Sequence, residues 1–265
     1  MVEEFEAHIT TEVLEAKWRE IAPFIDVMAK RVGQRGEFAV QPGSSLSGDD
    51  RVSNPFHVSH VVRQCLVAGV DHLHAVKALV VDQRVLHVAA PASLARGALE
   101  NFAAGYWVLG PVNRDTRVER ALRWHATNVV DDMRFRAALG EDTADLKVRR
   151  IDRIRDVATA RNLETGVTKG YRISEVVRFA DEQLADLALG VYLPWQVCSG
   201  MAHGRPWAYL GSLNREESDS DEVGVANVRL TNDVGRALYP TLAAFQLMES
   251  LLRLMEQRLT RQTGG

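Results

Sequence analysis

Val234-Gly-Arg-Ala-Leu238-Tyr-Pro240-Thr241-Leu-Ala-Ala-Phe245-Gln-Leu-Met248-Glu-Ser-Leu-Leu252-Arg-Leu-Met255-Glu-Gln-Arg-Leu259 decides how this chain folds. Its apolar residues Val234, Leu238, Phe245, Met248, Leu252, Met255 and Leu259, with Thr241 in line, recur in alternating steps of four and three. That spacing lays one side chain per turn along a single stripe, the mark of a helix with one buried face. Thr231 or Asn232 supplies its cap, and Pro240 predicts a kink or a fresh start inside it. A seam this long either enters the core or builds a homodimer.

The first helix mirrors the last. Thr10 or Thr11 opens it, and Leu14, Trp18, Ile21, Ile25, Met28 and Val32 form a second seam, with Pro23 inside. The spacing places both seams in the core, against each other. Between them the helical pattern recurs. Asn54-Pro55 reads as a cap and first position of a helix running towards Val88. Pro91 starts another, rich in Ala95, Gly97, Ala98, Ala103, Ala104 and Gly105, which ends at Gly110-Pro111. Glycine in a helix costs about 1 kcal/mol relative to alanine, and close approach of a neighbouring helix would compensate. Further helices are expected over 113–138, 142–162, from Ser174, and from Pro194.

Two stretches break the pattern. Residues 33–54 hold Gly33, Gly36, Pro42, Gly43, Gly48 and a serine-rich run without periodicity, and read as a flexible loop or lid. Residues 207–230 read as a β-hairpin, with strands at 209–213 and 223–228 and an acidic tip over 216–222. The expected architecture is an all-α, multi-helix bundle with one small β-hairpin insertion near residues 207–230, a single helical domain over 1–265.

Composition bounds the function. The 265 residues are 46% hydrophobic and 25% charged, an ordinary globular balance. A formal charge of −3 and a pI near 6.3 argue against binding nucleic acid by overall charge. Cys65 and Cys198 are the only cysteines, so no disulfide scaffold exists and both read as reduced thiols. The start from Met1 to Glu6 is acidic where a signal peptide would be basic, and no apolar run nears the roughly 20 residues that span a bilayer, the longest being Phe102 to Leu109. These features predict a cytoplasmic protein with no membrane partner. Phosphate-binding glycine motifs and Cys-x-x-Cys pairs are absent. Asp71-x-x-His74 is half of a bundle metal motif without its second half. No metal and no cofactor are expected.

One segment looks like a site: Pro194-Trp-Gln-Val-Cys-Ser-Gly-Met-Ala-His203-Gly-Arg-Pro-Trp207. Ser199 and His203 are four apart and share a helix face. Gly204 and Pro206 end the helix just beyond His203. Histidine there suits general acid–base work or a phosphate contact, and Arg205 adds a permanent cation. On the small-residue helix, Arg96 and Glu100 stand one turn apart and suit an ion pair. As an active site, His203 would be the acid–base, with Ser199 and Glu100 as further catalytic residues. Arg96, Arg205, Trp195 and Trp207 would bind substrate. The alternative is a capping histidine, a structural ion pair and core tryptophans. Arg114, Arg117, Arg120 and Arg123 read as a solvated basic face that could also meet a nucleic-acid backbone.

Ser93-Leu-Ala-Arg96-Gly-Ala-Leu-Glu100, followed by Trp195-x-x-Cys-Ser-Gly-Met-Ala-His203-Gly, resembles uncharacterised helical proteins of actinobacteria and their phages. More loosely, the layout over 60–260 is similar to HEPN-type helical bundles of RNases, toxins and abortive-infection systems. That resemblance implies an all-α, dimeric protein with a polar–His motif acting on RNA. HEPN RNases place Arg four to six residues before the His, and no Arg stands there before His203. Two functions are therefore expected. One is a homodimeric regulatory or phage-defence interaction module. The other is a HEPN-like enzyme acting on RNA or a nucleotide.

Overall fold

The computed structural model describes residues 10–163 and 165–261. The acidic start from Met1 to Glu6 lies outside them. The described residues form α1 (Thr11–Val32), α2 (Ser45–Ser53), α3 (Val58–Lys77, continuing as a π-helical turn Ala78–Asp82), α4 (Ala90–Leu109) and α5 (Arg114–Ala138). There follow α6 (Ala144–Thr159), α7 (Ile173–Gln183), α8 (Tyr192–Ala202), α9 (Pro206–Ser212), the hairpin β1 (Asn214–Asp219) and β2 (Ala226–Thr231), and α10 (Val234–Leu259). The fold is an all-α bundle with one small antiparallel hairpin.

The chain divides into two compact units. One comprises residues up to Arg35, Val67–Phe102 and Asp181–Met248; the other comprises Gly36–Leu66, Ala103–Ala180 and the chain from Glu249 onward. Four of the five divisions fall inside helices, α3, α4, α7 and α10, so no linker marks those four.

In the first unit α1 lies against the start of α10. Trp18 Nε1 donates to the Val234 carbonyl at 3.2 Å, and the Phe24 and Phe245 rings meet edge-on at 6.4 Å. Pro23 sits on the exposed side of α1, and neither Pro23 nor Pro240 ends its helix. The α10 seam is spent inside the chain: Leu238, Thr241, Phe245, Met248, Met255 and Leu259 are all buried. A homodimer would therefore need another surface. The small residues of α4 serve close contact. A Cβ on Gly97 would fall 2.7 Å from the His72 ring, and one on Gly69 would fall 2.3 Å from Phe102. Glycine on each helix lets a ring from the other reach the backbone.

In the second unit, the stretch read as an irregular loop holds a helix. Ser44 caps α2 by accepting from the Ser47 amide, and Leu46, Asp49 and Ser53 are buried. Gly48 fits because the Arg114 guanidinium lies against it. Asn54 terminates α2 rather than opening the next helix, which starts at Val58. Arg117, Arg120 and Arg123 of α5 do not form a solvated face, whereas Arg114 stays 44% exposed. Arg117 is buried in an ion pair with Asp49. Arg120 Nη1 donates to the Trp107 carbonyl at 2.6 Å, with its guanidinium 4.1 Å from the Phe179 ring. Arg123 Nε donates to the Gly170 carbonyl at 2.8 Å. Burial holds the Arg120 guanidinium down at about 10. Such positions are invisible to local spacing because the partners that bury them, Asp49, Trp107, Phe179 and Gly170, lie on other segments.

The hairpin also departs from expectation. Residues 206–212 are helical, and the strands lie one step later, pairing Asn214 with Thr231 through Asp219 with Ala226. The acidic run taken as the tip is largely β1. Its side chains are exposed, so no apolar alternation fixed the register in the sequence.

Val58–Asp82 is the one helix among the described residues long and apolar enough, by length and composition, to cross a membrane, with mean hydropathy reaching 1.3. Val61, Val62, Leu66, Val70, Leu73 and Val76 on it are buried in protein, the behaviour of a core helix. Histidines, Asp71 and Lys77 interrupt the run and hid this average.

Within the second unit, the His125 ring meets Phe56 at a tilt, 5.1 Å away, and Trp124 edge-on, 5.3 Å away. Its Nε2 is buried without a partner among the described residues. Burial, then His60 and His57, push it down to about 4. The unfolded chain therefore binds the proton more readily than the fold between pH about 6.5 and 4. Stability is expected to fall by about 2 kcal/mol between pH 7 and pH 5 from this group. Urea midpoints at the two pH values check it. The drop should shrink in His125→Phe, and an unchanged drop refutes the assignment.

Candidate functional site

Four of the residues singled out from the sequence meet in the first unit. Arg96 and Glu100 stand on α4, Trp195 on α8, and His203 at the C-cap of α8. Glu100 Oε1 accepts from Arg96 Nε at 2.8 Å and from Trp195 Nε1 at 2.8 Å. Arg96 Nη1 lies 3.2 Å from His203 Nε2. With Arg96 as the donor, His203 Nε2 is the acceptor and the ring proton sits on Nδ1. One carboxylate oxygen thus orients a guanidinium and an indole, and the guanidinium reaches on to an exposed imidazole.

The local chain explains the placement. Asp181 Oδ1 accepts from the amides of Val191 and Tyr192 at 2.6 and 3.0 Å, supplying the cap that Val191 cannot. Gly204 turns the chain at φ 63°, a left-handed conformation that glycine adopts without cost. Pro206 then opens α9 at its first turn. Gly200 lets the Trp207 ring lie flush on α8, since a Cβ there would fall 2.6 Å from Cζ2.

The other predicted residues stand outside this network. Among the described residues Ser199 Oγ has no hydrogen-bond partner; its carbonyl accepts the His203 amide at 3.1 Å. Nothing there activates Ser199 as a nucleophile. Arg205 is exposed, and Trp207 is 58% exposed beside it. Trp195, by contrast, is buried and stacks on Tyr192 at 5.7 Å. Elsewhere on the same unit, Asp71 and His74 do not form half of a metal site. His74 lies 3.4 Å from Asp26, which also pairs with Lys77 at 2.8 Å. Among the described residues no group of three or more His, Cys, Asp or Glu is arranged to hold a metal ion.

The sequence did not reveal an apolar cavity of about 620 Å³, also in the first unit. Pro194, Val197, Cys198 and Met201 of α8 form one wall; Leu238, Pro240 and Leu242 of α10 form another. Asp233 and Arg236 are its only charged lining residues, and they neutralise each other at 3.0 Å. Arg236 spends its remaining donors on the Ser212 carbonyl and Asn214 Oδ1, and Asn214 Nδ2 donates back to Asp233. The lining comes from distant segments, so only the apolar steps Pro194, Val197, Cys198, Met201 hinted at it. α8 thus lines the cavity with one face and carries Trp195 and His203 with the rest.

No protein family, curated protein or solved structure matches this chain.

Burial raises the Cys198 thiol to about 12, against a lowering by the Arg96 charge, and raises Cys65 to about 12, against a lowering by Trp124. The thiolate is the reactive form. Neither thiol is expected to release colour from an aromatic disulfide reagent at pH 8 in the native protein, and both should do so in denaturant. A fast-reacting native thiol would contradict this burial.

Proposed function

We propose that the protein is a cytoplasmic regulatory binding module whose first unit takes up a compact, uncharged, largely apolar small molecule. The 620 Å³ cavity carries this reading. Its volume lies within the range of small-molecule sites, roughly 300–1,000 Å³. Its walls are apolar, and its one charged pair is already compensated. A charged ligand would find no uncompensated partner there, whereas an apolar one removes surface from water at about 25 cal/mol per Å². The regulatory part rests on α8. A ligand against Val197, Cys198 and Met201 bears on the helix that ends at His203, so occupancy is read out at the Arg96–His203 contact. The two buried, unpaired thiols fit a reducing compartment.

The neutral fluorophore N-phenyl-1-naphthylamine tests this. One saturable site per chain is expected, lost in Leu242→Trp, which fills the cavity from a half-buried wall position while the melting temperature holds. Absence of saturable binding, or binding unchanged in Leu242→Trp, overturns it.

The Arg96–His203 contact favours a second reading, an enzyme acting on RNA or a nucleotide. Arg96 would hold a phosphate, Glu100 would fix Arg96, and His203 would move the proton. The exposed Trp207 ring offers a platform for a base, and Arg205 adds a second cation. This reading expects RNA cleavage that His203→Ala abolishes in a variant melting like wild type, assayed first without and then with added divalent metal. No cleavage by the wild-type protein removes it.

A further inference from the structure

The second unit holds a cavity of about 490 Å³ with polar walls. Gly43, Ser44 and Ser45 line it from the start of α2, Arg114 from the start of α5, and Gln257 and Arg258 from the last turn of α10. The loop before α2 is tied to this end of α10. The Gln41 amide donates to the Leu259 carbonyl at 3.1 Å, and the Arg261 amide donates to Gln41 Oε1 at 3.2 Å.

The charges around this cavity do not balance. Asp49 is the carboxylate that answers its arginines, and Arg117 takes most of it. Arg117 Nε and Nη2 donate to Asp49 Oδ2 and Oδ1 at 2.6 and 2.8 Å. Arg117 is then saturated by the carbonyls of Pro111 and Val112 and by Ser45 Oγ. Arg114 shares what is left, donating from Nε to Asp49 Oδ1 at 3.1 Å. Arg258 has a single acceptor, the Pro111 carbonyl at 3.1 Å, and its Nε is buried without a partner among the described residues. Burial, then the Arg117 charge, pull Arg258 below its ordinary value against a weaker opposing pull from Asp49. Among the described residues no carboxylate pairs with Arg258 or with Arg261, whose side chain passes 3.8 Å from a Cβ position on Gly43.

The hydrogen-bond inventory points the same way. Ser45 Oγ accepts from Arg117, so its own proton is free to be donated. The first-turn amides of Ser45 and Leu46 are left over by the geometry of the helix, at the positive end of its dipole. Guanidinium forks, a hydroxyl and helix amides around a polar cavity are the donors a tetrahedral oxyanion requires.

We propose that this cavity binds a phosphate group, as the free ion or as the end of a small phosphomonoester, between Arg114, Arg258 and the start of α2. Bound phosphate supplies the missing negative charge beside Arg258. The site is distinct from the cavity and the His203 cluster of the first unit, so its test is independent of both.

Titration calorimetry with inorganic phosphate, against sodium chloride at matched ionic strength, decides it. One saturable phosphate per chain is expected. Arg114→Gln should weaken it by about tenfold, the loss of one charge-assisted hydrogen bond, and Arg258→Gln should abolish it. Arg215→Gln on the hairpin should leave it unchanged. The Arg114 side chain is 44% exposed, so this variant keeps the test valid if Arg258→Gln melts early. Glycerol phosphate binding more tightly than phosphate supports a monoester as the ligand; equal or weaker binding supports the free ion. Phosphate heat no different from chloride, or binding intact in both Arg114→Gln and Arg258→Gln, overturns the proposal.

Discussion

A single buried carboxylate, Asp49, organises its half of the chain. It is fully buried, and Arg117 beside it is 2% exposed. Neither charge could be tolerated there alone. Removing one partner of a buried pair costs about 3–5 kcal/mol, because the other is left uncompensated. The pair is therefore better described as a lock than as a source of stability. Asp49 pins α2, a nine-residue helix of polar sequence that could not stand by itself. Arg117 pins the turn Pro111–Val112 and the Ser45 hydroxyl to the same point. The guanidiniums of Arg114 and Arg258 are then brought beside a carboxylate already consumed. An excess of positive charge follows from the lock.

Glu100 plays a similar part in the first unit, with a different outcome. Its Oε1 fixes Arg96 and the Trp195 indole together. It is only partly buried, so the cost of its charge is lower and solvent shares it. The rest of Arg96 extends to His203 rather than into a closed network. An ordered guanidinium therefore lies beside an exposed imidazole. The ion pair expected between Arg96 and Glu100 thus also aims Arg96.

Much of this was legible in the sequence where the signal was local. The stop at Gly110-Pro111, the glycines of α4 and the seams of α1 and α10 each report on neighbours within a few residues. Arg96, Glu100, Trp195 and His203 stood out because each is a polar or bulky residue at helical spacing inside an apolar stretch. What was lost depended on distant partners. α2 has a capping serine but little propensity, and it forms because Leu46 and Asp49 are buried by other segments. Arg117, Arg120 and Arg123 recur every three residues as a surface helix would, yet their acceptors come from residues 49, 107 and 170. The strand register was misplaced because exposed polar strands carry no alternation to anchor it. Neither cavity has a sequence signature, since a cavity is defined by the segments that fail to fill it.

The two cavities illustrate how charge accounting separates ligand chemistries that volume alone does not. They differ modestly in size, about 620 and 490 Å³. In the first, Asp233 and Arg236 answer one another and Asn214 completes the set, so no electrostatic work remains for a ligand to do. Only apolar burial is left to reward occupancy. In the second, one carboxylate is shared by Arg114 and Arg117, none pairs with Arg258 among the described residues, and an orphaned Nε on Arg258 records the deficit. Apolar occupancy there would deepen the desolvation of cations that lack a counter-charge, whereas an oxyanion relieves it. The two cavities thus differ in charge balance, and that difference arises from how completely the surrounding side chains satisfy themselves.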